Sequence, residues 1–359
     1  MMTPRERVLT AMRRQVPDKV PRRTAYGSLI KPHMEIFKRK TGATDLAEYF
    51  QFEVRNVSFK ETIRRDGLQV YLPKSIKQNE IIDWEWGNVL LKGYQDNIHE
   101  TVHYALSCAQ TADDIEAYPM PDILEHYRWD HVHDETAGYH GRDLAVMGCM
   151  SQTLFEVAWG VRGFENFLMD LLINPEMVEL LLNKITSIRC RQAEIFAQAN
   201  VDILRLGDDV GTERGMLISP EVFRKWFKPR FIEIVRAARE IKPDILVFYH
   251  SDGDCDDIIP DLIEIGVDIL NPVQPECMDP AEIKQKYGHK LAFWGTIGVQ
   301  TTMPFGTTTD VRNEVKKRIE TVGVGGGLLL SPSHTMQVEV PWENIIAFFD
   351  AVDEFGKYK

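Results

Sequence analysis

From residue 144 to the C-terminus, short apolar runs alternate with longer amphipathic stretches, and this alternation restricts what the chain can fold into. The runs are Leu144–Gly148, Val201–Leu206, Ile245–Tyr249, Val267–Leu270, Leu291–Trp294 and Leu328–Leu330. None shows the in/out alternation of a strand with one wet face, and continuous apolar runs suit strands buried on both faces. The intervening stretches carry helix starts. Asn174-Pro175-Glu176 and Ser219-Pro220-Glu221 each offer a capping residue, then proline, then an acid near the positive end of the helix dipole. From Pro341, the residues Trp342, Ile345, Ile346, Phe349, Val352 and Phe355 fall on one helical face, and Gly356 ends the pattern. Repeated β–α alternation means parallel strands joined by crossover helices.

Six such units lie in residues 141–359. Closing an eight-stranded barrel takes two more strands, for which Val20–Thr24 and Val54–Phe59 are the candidates. The expected fold class is therefore α/β: a single (β/α)8 TIM barrel spanning residues 1–359. Residues 1–140 supply an N-terminal extension, opening with an amphipathic helix, and a cap. The stretch from about residue 70 to 140 is rich in Trp, His and Tyr, with hairpin-like pieces at Gln69–Leu72, Asp83–Leu91 and Ile98–Tyr104. It reads as an insertion over one mouth of the barrel; the alternative is a small separate α+β domain. The aromatic residues of 84–94 and 126–129 suggest a lid or a homo-oligomer interface.

Charge narrows the partners. Lys and Arg total 42 and Asp and Glu 54, a formal net charge of −12. That balance opposes binding to duplex nucleic acid and gives no attraction to anionic membranes. No apolar run approaches the ~18 residues of a membrane-spanning helix. The five cysteines are odd in number and irregularly spaced, with no CxxC, as in proteins of a reducing cytoplasm. Walker, GxSxG and GxGxxG motifs are absent, so nucleotide and serine hydrolysis lack support. A small-molecule substrate is expected.

In a parallel barrel, chemistry gathers where the loops leave the C-terminal ends of the strands. After the predicted strands come Cys149-Met150-Ser151, then Gly207 to Glu213, then His250 to Asp254. The last three are Asn271 to Gln274, Gly295 to Gln300, and Ser331 to His334. Five of the six carry ligands, acids or amides. His250 and Asp252 stand two apart, the spacing that lets both face one ion from an extended segment. With His334 they make a two-His, one-carboxylate set suited to zinc. The alternative is that His250 only bonds its neighbours and Asp252 caps the helix near Cys255. Asp208, Asp209 and Glu213 form an acidic cluster fit for general acid–base work. Alternatively, one carboxylate pairs Arg205 or Arg214 and another caps a turn. Asn271 and Gln300 suit a heteroaromatic ring or carbonyl. Trp294 and Met147 read as apolar lining. The catalytic candidates are thus Asp208, Asp209, His250, Asp252 and His334. Met147, Cys149, Arg205, Glu213, Asn271, Trp294, Gln300 and Ser333 are expected around the substrate.

The segments TPRERVLTAMRRQVPDKVP, GDDVGTERGMLISPEVFRKWFKPR, FYHSDGD, GVDILNPVQPE, LAFWGTIGVQ and GGGLLLSPSHTMQVEVPWENIIAFFDAV together resemble the uroporphyrinogen decarboxylase superfamily. The resemblance implies one (β/α)8 barrel with an N-terminal extension. It also implies one of two chemistries. The namesake enzymes decarboxylate a tetrapyrrole without cofactor and grip its carboxylates with an arginine-rich motif resembling RQAGR. Here the corresponding region reads Val20-Pro21-Arg22-Arg23-Thr24-Ala25-Tyr26-Gly27-Ser28, which lacks it, and the strand-end loops are acidic. The other branch is the corrinoid-linked methyltransferases. Those that methylate a thiol hold zinc with a motif resembling His-x-Cys and a distant Cys. His250 matches the His, Asp252 stands at the first Cys, and His334 or Ser333 lies near the second. A His/Asp/His site is harder than a thiolate one. Without a metal, Asp252 would act as an acid toward a leaving group or pterin nitrogen. The expected function is a cytoplasmic methyltransferase working with a separate corrinoid protein, toward a thiol, tetrahydrofolate or a methyl ether. The alternatives are a cofactor-free decarboxylase of a porphyrinogen or smaller acid, and a barrel that binds a corrinoid or pterin without turnover.

Overall fold

The computed structural model describes all residues except Arg64, residues 94–98, Ser151 and Lys359. Ser151, Ile98 and Tyr94, which fall within the loop, hairpin and aromatic stretches above, lie outside the described residues. Seven strands form one sheet: β1 (Val54–Val57), β2 (Ala145–Cys149), β3 (Ile203–Gly207), β4 (Leu246–His250), β5 (Ile269–Asn271), β6 (Ala292–Trp294) and β7 (Leu328–Leu329). Each pairs with the next in parallel.

The sheet is curled on itself. Val54 of β1, Leu329 of β7 and side chains from every strand between them share one apolar cluster, separate from the larger cluster on the outer face. Only a TIM-barrel-like curl brings the first and last strands of a parallel sheet together. The gap between β7 and β1 is crossed by the extended segment around Arg22. Arg23 N–H donates to Leu330 O at 3.1 Å and Leu330 N–H to Pro21 O at 2.9 Å. On the other side, the Arg23 guanidinium reaches Asn56 on β1. Val20–Thr24 therefore makes a single bridge, not a full strand: Pro21 has no N–H with which to extend the ladder.

The expected runs were placed slightly too early. Leu144–Gly148, Ile245–Tyr249 and Val267–Leu270 become Ala145–Cys149, Leu246–His250 and Ile269–Asn271. Cys149, His250 and Asn271 thus close their strands instead of opening loops. Hydropathy misses His250 and Asn271 because they are polar, yet all three side chains alternate inward above apolar neighbours.

The N-terminal end of the barrel is plugged by helix α1 (Pro4–Met12), which starts with a Thr3/Glu6 capping box. Val8, Ala11 and Met12 enter the interior cluster. Buried Asp202, just before β3, fixes this plug. It accepts Arg5 Nη2 at 2.7 Å, His140 Nε2 at 3.0 Å and Val146 N–H at 2.9 Å. Arg7 pairs with Asp18 and Glu53.

The insertion holds a three-stranded antiparallel sheet of Glu80–Asp83, Asn88–Lys92 and His99–His103. Gln69–Leu72 does not join it: Leu68–Tyr71 is a short 3-10 turn entered from Gly67 at φ +85°. Within the insertion Arg128 Nη2 reaches both Glu85 oxygens at 2.8 Å, and the sheet is tied to the barrel by Arg189, 5.6 Å from the Trp86 ring. Leu68, Leu106 and Tyr118 share the outer core of the barrel. Helices follow at Pro175–Gln198 and Trp342–Phe355. Ser219 caps as expected, its Oγ accepting Val222 N–H. Asn174 instead spends its amide on Asp170 at 2.7 Å.

Asp202→Ala leaves Arg5, His140 and the Val146 N–H without their shared acceptor. Denaturant unfolding is expected to show a loss of about 3 kcal/mol or more, the scale for orphaning a buried charge pair. A loss under about 1 kcal/mol would mean the plug is held by its apolar face alone.

Candidate functional site

Inward alternation builds the lumen in layers. Ile203, Met147, Leu246, Phe248, Ile269, Ala292 and Trp294 lie in the apolar floor above α1. Two residues further along their strands from Ile203, Met147, Phe248 and Ile269 stand Arg205, Cys149, His250 and Asn271. The lumen therefore turns polar at the C-terminal end, the end from which the loops carrying Asp209, Asp252 and His334 leave.

The centre of the site is His250. Its Nδ1 lies 2.7 Å from Asn271 Oδ1, and Asn271 Nδ2 donates to Trp294 O at 2.6 Å. That second bond fixes which end of the amide faces the imidazole. Nδ1 must then carry the proton, leaving the Nε2 lone pair toward the mouth. Tyr26 Oη donates to that nitrogen at 3.3 Å. Around Nε2 stand Asp209 Oδ1 at 3.7 Å and Asp252 Oδ2 at 3.8 Å, and His334 Nε2 is 3.5 Å from Asp252 Oδ2. Burial holds both imidazoles below their ordinary range, the neutral form in which they act as ligands. Burial and the nearby Asp209 push the Asp252 carboxyl up.

Two glycines permit this approach. Gly207, at φ +151°, closes β3 against the His250 backbone, where a Cβ would collide. Gly253, at φ +81°, abuts Gly211 and Thr212. This lets the two acidic loops meet, with Asp252 N–H donating to Asp209 Oδ1 at 2.8 Å.

Asp209, His250 and Asp252 offer three ligand atoms within 4.8 Å of one another. Tetrahedral zinc with bonds of about 2.0–2.2 Å sets its ligands roughly 3.3–3.6 Å apart, close to the spacings here. Asp252 Oδ1 is buried without a hydrogen-bond partner among the described residues, so this carboxylate has unspent acceptor capacity. The donor set fits a divalent ion of zinc type.

The paired acids separate. Asp209 faces the mouth. Asp208 is fully buried and turned away; its carboxylate accepts the N–H groups of Thr153, Leu154 and Glu156 at 2.9–3.1 Å. It thereby caps the helix Phe155–Arg162, and the structure gives it no place at the mouth. Met147 and Trp294 are buried in the floor instead of lining the opening. Glu213 and Gln300 meet each other at the rim, 3.4 Å apart. They border a cavity of about 330 Å³ with Asp252, Gln274 and His334. Ser333 is buried, its Oγ without a partner among the described residues. Cys149 lies beside Arg205, to which its neighbouring strand pairs it.

Two participants were not among the sequence candidates. Tyr26 sits edge-on to His250 and His334, ring centroids 5.8 and 5.3 Å away. Its only sequence signal is its place just past the Val20–Thr24 run. Glu156 holds the Asp209 loop, its Oε2 accepting Asp209 N–H at 3.0 Å. Burial, then Asp208 and Asp209, push its carboxyl well up.

Comparison with known proteins follows the same lines. The uroporphyrinogen decarboxylase (URO-D) family profile matches residues 107–355. The uroporphyrinogen decarboxylase of Hordeum vulgare is 22% identical over 213 residues, 58% of this chain and 62% of that protein. That of Pseudomonas syringae pv. tomato is 24% identical over 253 residues, 68% and 69% of the two chains. The chain thus spans less than two thirds of the barley relative. Among solved structures, a methyltransferase from Methanosarcina mazei aligns over 99% of both chains with a TM-score of 0.69 and 18% identity. A B12-independent methionine synthase from Shewanella sp. W3-18-1 aligns over 93% of this chain and 96% of that one, with a TM-score of 0.52 and 13% identity. These structural likenesses speak to the fold. The profile match covers well over half of the chain, including every strand-end loop of the site, and the chain belongs to the uroporphyrinogen decarboxylase family.

Proposed function

We propose that this protein is a methyltransferase that moves a methyl group between a corrinoid carried by a partner protein and a small molecule. The observation that carries this reading is the convergence of Asp209, His250 and Asp252 on one point of the mouth, with His334 alongside at 3.5 Å from Asp252 Oδ2. In a methyltransferase such a cluster would hold zinc and so activate the methyl acceptor or polarise the donor. Zinc bound there would act as a Lewis acid, lowering the pKa of a thiol, alcohol or water. The full-length likeness to the Methanosarcina mazei methyltransferase is in keeping with it.

The chain's own residues would work as follows. Asn271 fixes the His250 tautomer so that Nε2 offers its lone pair. Asp209 and Asp252 supply the negative charge that compensates a divalent ion. Glu156, through the Asp209 N–H, keeps the first of them in place. Glu213 and Gln300 at the rim are positioned for the polar groups of the incoming molecule, tetrahydrofolate among the candidates. The corrinoid would approach as a substrate on its partner protein, above the mouth.

A second reading, decarboxylation of a porphyrinogen or smaller acid, draws on the names of the curated relatives. Against the porphyrinogen stands the rim itself. Glu213, Asp252 and Asp209 offer negative charge where an eight-fold carboxylate would need positive.

Protein dialysed against zinc should retain about one equivalent, and His250→Ala or Asp252→Ala should fall below about 0.2. Asn271→Ala should weaken zinc binding 10–100-fold while leaving every ligand in place. Full retention in His250→Ala would remove the metal from the account. Methylcobalamin mixed with a thiol or tetrahydrofolate should lose its methyl–cobalt absorbance only with the zinc-loaded protein. A silent assay together with consumption of uroporphyrinogen would give the decision to the decarboxylase. In the same preparations Asp209→Asn should lose zinc but keep its melting temperature. Asp208→Asn should lower stability by about 1–2 kcal/mol through its lost cap.

A further inference from the structure

Most buried arginines of this protein are matched by a carboxylate. Arg7 meets Asp18 and Glu53, Arg128 meets Glu85, Arg162 meets Asp170, Arg230 meets Glu179 and Arg318 meets Glu314. Arg189 lacks one but is saturated by two backbone carbonyls and Gln192. Arg23 and Arg205 are different. They are 1% and 8% exposed, and among the described residues neither makes an ion pair. Both Arg23 terminal nitrogens share one neutral acceptor, Asn56 Oδ1, at 3.2 Å. The Nε of each arginine is buried with no hydrogen-bond partner among the described residues. Their remaining company carries no fixed negative charge: the Cys149 thiol, which burial pushes up, bonds Arg205, Trp294 lies 5.5 Å from the Arg23 guanidinium, and Tyr26 lies 5.0 Å from that of Arg205.

Two unpaired guanidiniums in one lumen are costly to bury unless an anion joins them. They also sit at a telling level. Arg205 is beside Cys149 in the strand register and one pleat above the apolar floor. Its charge is felt by His250, Asp252 and His334 at the mouth above. Guanidinium is the side chain best shaped to take a carboxylate in two parallel hydrogen bonds.

We propose that Arg205 and Arg23 form an anion subsite that takes the carboxylate of the small substrate, which is therefore a methylated carboxylic acid bound carboxylate-down. Its methyl-bearing end then stands at the Asp209–His250–Asp252–His334 cluster. The orientation of the methyl group rests on the methyltransferase reading; the carboxylate subsite does not. The subsite offers two guanidiniums and no more, whereas the acidic rim above repels further carboxylates, which sets a small acid apart from an eight-fold carboxylate.

The test is binding, which needs no turnover. Calorimetric titrations would compare 3-methoxybenzoate with 3-methoxybenzamide, and glycine betaine with its amide, on the full-length protein. At least one acid should bind ten-fold or more tighter than its amide, and Arg205→Gln should abolish that preference while leaving the amide's affinity alone. Removal of an unpaired buried charge should leave the melting temperature of Arg205→Gln equal or higher. No preference for acid over amide in the parent protein overturns the proposal, whatever the variant does. So does an acid preference that survives Arg205→Gln. The methylcobalamin assay run on the same preparations separates the two claims. An acid preference with no methyl transfer sinks the reaction and keeps the subsite; methyl transfer with no acid preference does the reverse.

Discussion

Everything in this molecule depends on seven short parallel strands being curled around one narrow lumen. Side chains that alternate inward on a flat sheet would meet solvent or a helix; here they meet each other. The lower lumen is closed by apolar side chains and by α1, so no charge can be hidden there except in the Asp202 and Arg7 networks that hold the plug. Polar inward residues are tolerated only in the last pleat, where loops and a ligand can satisfy them. That single constraint puts Arg205, Cys149, His250 and Asn271 at the level where chemistry is found.

Within that layer, the neighbours divide the labour. Amide and carbonyl bonds set the orientation of His250, and two glycines, one closing β3 and one in the loop after β4, let the acidic loops touch. Adjacent acids take opposite roles for a purely local reason. Asp208 faces back toward free helix N–H groups, while Asp209, one residue on, points the other way. The negative charge of the mouth thus sits on loops beyond the strand ends, and the positive charge of Arg205 lies beneath it within β3. A small molecule with a carboxylate at one end and a methyl group at the other matches that arrangement.

The repeat of buried strands and helices was legible in the sequence because it rests on long apolar runs, which few other folds can bury. The cluster of His250, Asp252 and His334 was legible too, since each lies at or just past a strand end. Strand ends themselves were not: His250 and Asn271 are polar and break a hydropathy run one residue before the ladder stops. Asp208 could not be told from Asp209, because the N–H groups that claim it belong to a helix more than fifty residues earlier. Tyr26 and Arg23 escaped notice because their segment reaches the lumen by closing the ring opposite to the regular units. No local pattern encodes that closure.

The central claim is that the mouth holds a metal through nitrogen and oxygen alone. Zinc-edge X-ray absorption of the zinc-loaded protein tests it most directly. The account predicts a four-coordinate shell at about 2.0–2.2 Å, with the outer scattering of two imidazoles and no sulfur unless a thiol is added. A sulfur shell at about 2.3 Å in the absence of added thiol, or fewer than two imidazoles, would contradict it.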